Sequence, residues 1–166
     1  MALTAPPEAQ ALLLDLQRID TDLQRIAHRT RTLPEQQRLD ELTALTAGVR
    51  ENVAARENAL EDARIELSRV ESDVDVVEKR IARDEGLLQS SSSAKDIAGL
   101  EHEVASLRAR LADLEEMAVG VMERVAGVEA ERADARSTRE AHAGAIAAAI
   151  EARDEAMGGL ARERDN

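Results

Sequence analysis

Apolar side chains recur along this chain at alternating intervals of four and three residues. The first run is Leu12, Leu16, Ile19, Leu23 and Ile26, with Thr30 and Leu33 on the next two positions. The second starts at Leu42 and keeps step through Val53, Leu60, Ala63 and Val70 to Ile81. The third begins at Ile97 and continues through Val104, Leu114 and Val121 to Val128. A 4-3 repeat puts one apolar stripe on a helix and is the seam of a coiled coil. The predicted fold class is therefore all-α: an extended antiparallel coiled-coil helical hairpin. It reads as a single hairpin over residues 1–166, with arm one at about 8–88, a tip at about 89–94 and arm two at about 95–164.

Two interruptions punctuate the repeat. Leu33-Pro34-Glu35 predicts a kink or break in the first arm, because proline lacks an amide donor and disfavours helix at the residue before it. Helical propensity resumes at once, so the two pieces should run in roughly the same direction. Ser90 to Ser93 is a polar run without periodicity and predicts a loop, with Gly86 weakening the helix before it. Ser93 and Asp96 match a helix N-cap with an acid in the first turn. Folding back about this loop at equal rise places Leu111 opposite Val70 and Glu71. It places the small-sided stretch Ala141 to Ile150 opposite Leu33-Pro34, and helix one opposite the turns after Ile150.

Polar residues also occupy seam positions. Arg56, Arg132 and Arg139 fall where Leu or Val would suit a simple hairpin. Their stems can cover the seam while their charges reach flanking acids. Folding back sets Arg56 opposite Val125 to Val128 near Glu129, and Arg132 near Arg50 and Glu51. His142 lies on a weak seam position, where a polar side chain sets register. Gly99, Gly120 and Gly127 interrupt the third run, marking mild bends or places where another chain approaches closely.

Composition agrees with a thin seam. Ala, Glu, Lys, Leu and Arg make up more than half of the 166 residues, and there is no Phe, Tyr or Trp. The formal charge of -12 disfavours nucleic acid as a partner, since phosphate binding rests on Lys and Arg. One local basic cluster, Arg25, Arg29, Arg31 and Arg38 with His28, is the candidate set of phosphate contacts. Its competing reading is a solvated face paired with Asp22 and Glu35, and no aromatic residue is present to stack on bases. With no cysteine, no thiolate metal site can form. No catalytic motif is present, and no apolar run approaches the roughly 20 residues needed to span a bilayer. The opening MALTAPPEAQ lacks the regions of a secretory signal, so the expectation is a cytoplasmic, non-enzymatic protein without membrane association, a monomer or weak homo-oligomer.

The residues also resemble a family. ALLLDLQRIDTDLQRIAHRTRTLPE is similar to the start of bacterial coiled-coil helical-hairpin proteins with a C-terminal C4-type zinc ribbon. After the tip, Lys95-Asp96, Leu100, His102-Glu103, Leu107, Arg110, Leu114-Glu115 and Met122-Glu123 match that family's motif, with Ile97 replacing the usual Leu and the tip glycine absent or displaced to Gly86. The resemblance implies a protein-binding scaffold, adaptor or chaperone-like protein of unknown protein partners. The tip residues Ser92, Ser93, Lys95 and Asp96 are the expected partner-binding site. The alternative is an RNA- or DNA-binding protein whose main module is a ribbon missing from this chain. No cofactor is expected in this chain; zinc follows only if the full-length protein has the ribbon.

Overall fold

The structure, a computed structural model, describes residues 6–166, and the reading of the first five positions lies outside them. Three helices follow one another: α1 (Pro7–Arg31), α2 (Pro34–Ser90) and α3 (Ala94–Asp165). No strand occurs among the described residues. The all-α hairpin with a break at Leu33-Pro34 is what the chain forms.

Each boundary has a local cause. Pro6, at φ -54 and ψ 149, precedes the first turn of α1, and Pro7 stands where an amide donor is not needed. Thr32 closes α1, its amide donating to the His28 carbonyl at 3.0 Å. Pro34 then opens α2, and the Leu33 carbonyl accepts from the amides of Gln36 and Gln37 at 3.1 and 3.2 Å. Only two residues separate the helices, and Leu33 between them is buried.

The tip is tighter than the sequence indicates. α2 continues through Gly86 to Ser90, and no glycine has positive φ. Ser90 is the last residue of α2, and its hydroxyl donates back to the Gly86 and Leu87 carbonyls, at 3.2 and 3.1 Å. Residues 91–93 make the connection. The Asp96 amide donates to Ser93 Oγ at 3.4 Å, which places Ser93 as the N-cap of α3.

Packing contacts divide the chain into two units. One comprises Met1–Val49 with Thr138–Asn166, the other Arg50–Ser137. In the first, Ile26, Leu33 and Leu160 form a small core with Ala156 against it, and Leu39 and Leu42 are also buried. In the second, Val53, Leu60, Ala63, Val70 and Ile81 of α2 are buried with Val104, Leu114, Val121 and Ala135 of α3. These are positions of the 4-3 repeat. Leu114 is the most enclosed, at 2 % exposure. Burying one such side chain contributes roughly 1.5–3 kcal/mol, so a seam of this length is held by many modest terms.

Across the second unit, α2 and α3 run antiparallel, joined by ion pairs that step in opposite directions along the two helices. Glu85 meets Arg108, Glu66 meets Arg124 and Glu57 meets Arg136. The register differs from simple folding back. Continued at the same spacing, folding back sets Arg64 beside Ala118, whereas Arg64 reaches Glu129 at 2.5 Å. In the first unit, Leu33 packs on Leu160 rather than on the Ala-rich stretch, while His142 of that stretch meets Thr46. The cause is the repeat itself: sliding one helix by a heptad preserves every apolar layer, so the seam alone does not choose among registers.

Candidate functional site

The tip residues named from sequence, Ser92, Ser93, Lys95 and Asp96, are all exposed. Ser93 and Asp96 are engaged in the cap, so their first role is structural. The cap leaves Ser92 and Lys95 presented at the end of the second unit on a short, defined turn.

The basic cluster is spread over two helices and is largely neutralised. Arg25 pairs with Asp22 at 3.2 Å. Arg38 pairs with Glu41 at 3.1 Å rather than with Glu35. Arg29 crosses to α3, where one guanidinium nitrogen donates to both oxygens of Glu163, at 3.0 and 2.8 Å. Arg31 donates from Nε to the Ala27 carbonyl at 3.2 Å. Exposed pairs of this kind contribute at most about 1 kcal/mol each, but they cancel the local field that a phosphate would need. Beside them lies an open cleft of about 590 Å³, lined by Leu33, Pro34, Ala156, Gly159 and Leu160 with Arg29 and Glu163 at its edge.

Seam polarity resolves into local pairs. Arg56 is exposed and donates to Glu131 at 2.6 Å, a flanking acid as expected, while Glu129 is taken by Arg64. Arg132 is half-buried and Arg139 exposed. His142 Nε2 and Thr46 Oγ1, both on seam positions, lie 3.2 Å apart. His102 is exposed between its two glutamates. A Cβ built on Gly99, Gly120 or Gly127 meets nothing within 4 Å, so no other part of this chain approaches them closely.

One polar seam residue escaped the sequence reading. Asp84 is 3 % exposed, on the position between Ile81 and Leu88 that continues the 4-3 spacing. Arg83 Nε donates to it at 3.3 Å, and Arg80 Nε lies 3.9 Å away while that guanidinium also holds Glu103. The signal was present: extending the repeat by one step beyond Ile81 lands on an acid.

The larger omission concerns α1. The 4-3 spacing predicts one seam, yet only Ile26 of it is buried in α1, and Leu12, Leu16, Ile19 and Leu23 are exposed. Leu13 and Leu14 are exposed as well. Among the described residues, no group of three or more His, Cys, Asp or Glu could hold a metal ion, and no helix is long and apolar enough to cross a membrane.

Comparison with known proteins fits this geometry. An uncharacterized protein of Mycobacterium tuberculosis is 36 % identical over 156 residues, which are 93 % of this chain and 64 % of that protein. The chain therefore spans less than two thirds of that relative's length. An uncharacterized protein of Mycobacterium leprae is 31 % identical over 110 residues, 66 % of this chain and 47 % of that one. A solved structure from Mycobacterium smegmatis superposes with a TM-score of 0.78 at 37 % identity, covering 98 % of this chain and 68 % of the other. The model that matches, over residues 16–166, is that of the CT398-like coiled coil hairpin domain, and the chain belongs to this family.

Proposed function

We propose that the chain is a non-enzymatic protein-binding scaffold, an adaptor or chaperone-like protein that presents helix faces and the tip to protein partners. The observation that carries this reading is the set of large apolar side chains standing outside the buried seam. Leu45 and Val76 are each 60 % exposed and Leu87 is 49 % exposed. Met117, Val119 and Met122 add a second exposed set on α3. Flexible methionines suit surfaces that accept more than one helical partner. Helix-in-groove docking uses such positions, and the short capped turn supports the tip as a further contact through Ser92 and Lys95.

The test is a pull-down with purified chain carrying Val76→Ser with Leu87→Ser, or Ser92→Ala with Lys95→Glu. Partners retained by the wild type should be lost by one pair or the other. Retention of every partner by both variants would sink this assignment of the surface. The nucleic-acid alternative gains no support from the basic cluster, because carboxylates occupy Arg25, Arg29 and Arg38. A gel shift with RNA and duplex DNA at low salt checks it, and no shift by this chain is expected.

A further inference from the structure

The apolar stripe of α1 changes from covered to bare along a single helix. Ile26 is 8 % exposed, packed with Leu33 and Leu160. Upstream at heptad spacing, exposure climbs from 41 % at Leu23 to 51 % at Ile19, 55 % at Leu16 and 70 % at Leu12. Scattered exposed leucines need no explanation. Four that continue a buried seam in register are a seam lacking its second helix.

The charges along its edge state what fits. Where the stripe is covered, Arg29 stands at its edge and α3 supplies an acid, Glu163, at 2.8 Å. One and two heptads earlier the same edge carries Asp22 and Asp15, and Asp20 lies on the opposite edge. Arg18 and Arg25 pair with Asp15 and Asp22 at 3.7 and 3.2 Å, but their spacing sets them back from the seam. As an acid complements Arg29, so a cation complements Asp22 and Asp15, whose exposed pairs with Arg25 and Arg18 are weak and can be exchanged. A second copy of α1 fails this requirement in both orientations. Antiparallel pairing sets Asp15 against Asp22, and parallel pairing sets Asp15 against Asp20. An anionic lipid surface meets the same acids and is repelled.

We infer that the face of α1 between Leu12 and Leu23 docks an amphipathic helix of a partner protein whose apolar seam is flanked by lysines or arginines. This rests on the scaffold reading and names the partner class for one surface.

Three labelled synthetic helices test it against the full 166-residue chain by fluorescence anisotropy. The first has an apolar 4-3 seam with lysine flanks, the second the same seam with glutamate flanks, and the third is a scrambled form of the first with equal charge. Only the first should bind at about 0.15 M salt, where long-range attraction to a net charge of -12 is largely screened. Leu16→Asp with Ile19→Asp should abolish that binding. Asp15→Lys with Asp22→Lys leaves the apolar face intact, and should weaken the first peptide at least tenfold while admitting the second. Equal binding of both seam peptides, or binding of the scrambled one, overturns the inference. So does a dimer in sedimentation that the Leu16 and Ile19 variant dissolves, since the occupant is then a second copy. Binding that survives both α1 variants but is lost in Val76→Ser with Leu87→Ser overturns the α1 assignment and leaves the scaffold reading standing. No binding by any peptide overturns the α1 inference, and the pull-down above then judges the scaffold reading on its own.

Discussion

Thr46 Oγ1 and His142 Nε2 stand 3.2 Å apart at two positions where the 4-3 repeat would otherwise place apolar side chains. Thr46 has a second outlet, the Leu42 carbonyl at 3.4 Å. Removing the imidazole therefore leaves no stranded hydroxyl, which is the usual reason such substitutions are costly. His142→Leu should keep the fold and leave stability unchanged or raise it by about 1 kcal/mol. The check is thermal unfolding of both single variants and of the pair with Thr46→Val. A loss above about 2 kcal/mol for His142→Leu would mean the imidazole satisfies a buried group beyond Thr46.

Arg56 interrupts the longest apolar run while keeping its charge in water beside Glu131, at 2.6 Å. Its side chain is 44 % exposed, so the pair contributes little and the lost apolar contact costs more. Arg56→Leu should raise the melting temperature and broaden the distribution of oligomeric states, because an uninterrupted apolar stripe accepts more partners and registers. Thermal unfolding and analytical ultracentrifugation measure the two effects. A less stable variant that keeps one size would show that the ion pair is required.

Asp84 is a stronger case of the same principle, because its carboxylate is buried. Arg83 and Arg80 hold it, and both are exposed, so neither is stranded if the acid is removed. Keeping a carboxylate out of water is costly, and an apolar side chain on this seam position avoids that cost. Asp84→Leu should therefore raise the melting temperature, and Asp84→Ala should do so less, since it leaves a gap beside Ile81. Circular dichroism melts of both variants decide; destabilisation by Asp84→Leu would assign the carboxylate a required structural bond.

Gly120 and Gly127 lie inside α3 with helical backbone, and a Cβ at either meets nothing within 4 Å. Alanine fits without displacement and restricts the unfolded chain. Each substitution should add about 0.5–1 kcal/mol, or a few degrees of melting temperature for a chain of this size. A loss of partner binding on Gly120→Ala or Gly127→Ala, with the expected gain in stability, would show that the open space belongs to a docked chain.

The sequence made some of this plain and left some of it closed, for identifiable reasons. The break at Pro34 and the cap at Ser93 are chemical facts about single residues, and each appears where its chemistry demands. The seam positions of α2 are visible because burial follows a period, and Arg56 is the exposed exception among them. Register was not visible. Sliding one helix by a heptad leaves every apolar layer in place, and long side chains such as Arg64 and Glu129 reach across several offsets. The polarity of Ser90 predicts loop, whereas its hydroxyl bonds within the helix. The stripe on α1 was legible as a face, but a periodic pattern states only that a face is apolar and is silent about what covers it. No catalytic site was read, and the exposed faces became distinguishable only once the covered ones were known.

The bare stretch of α1 has a thermodynamic consequence. From Pro7 to Leu23 this helix is held by its own ladder of hydrogen bonds, anchored at one end where Ile26 enters the small core. Isolated helices of roughly this length are marginal in water, because each residue gains little beyond what its lost freedom costs. The anchor supplies the nucleus, so α1 frays from its free end inward, and amide exchange should slow step by step from Leu12 toward Ile26. A helix that docks there must complete the folding of the surface it binds. Its affinity then falls below what the contact area alone would give, because part of the gain goes into ordering the helix it binds.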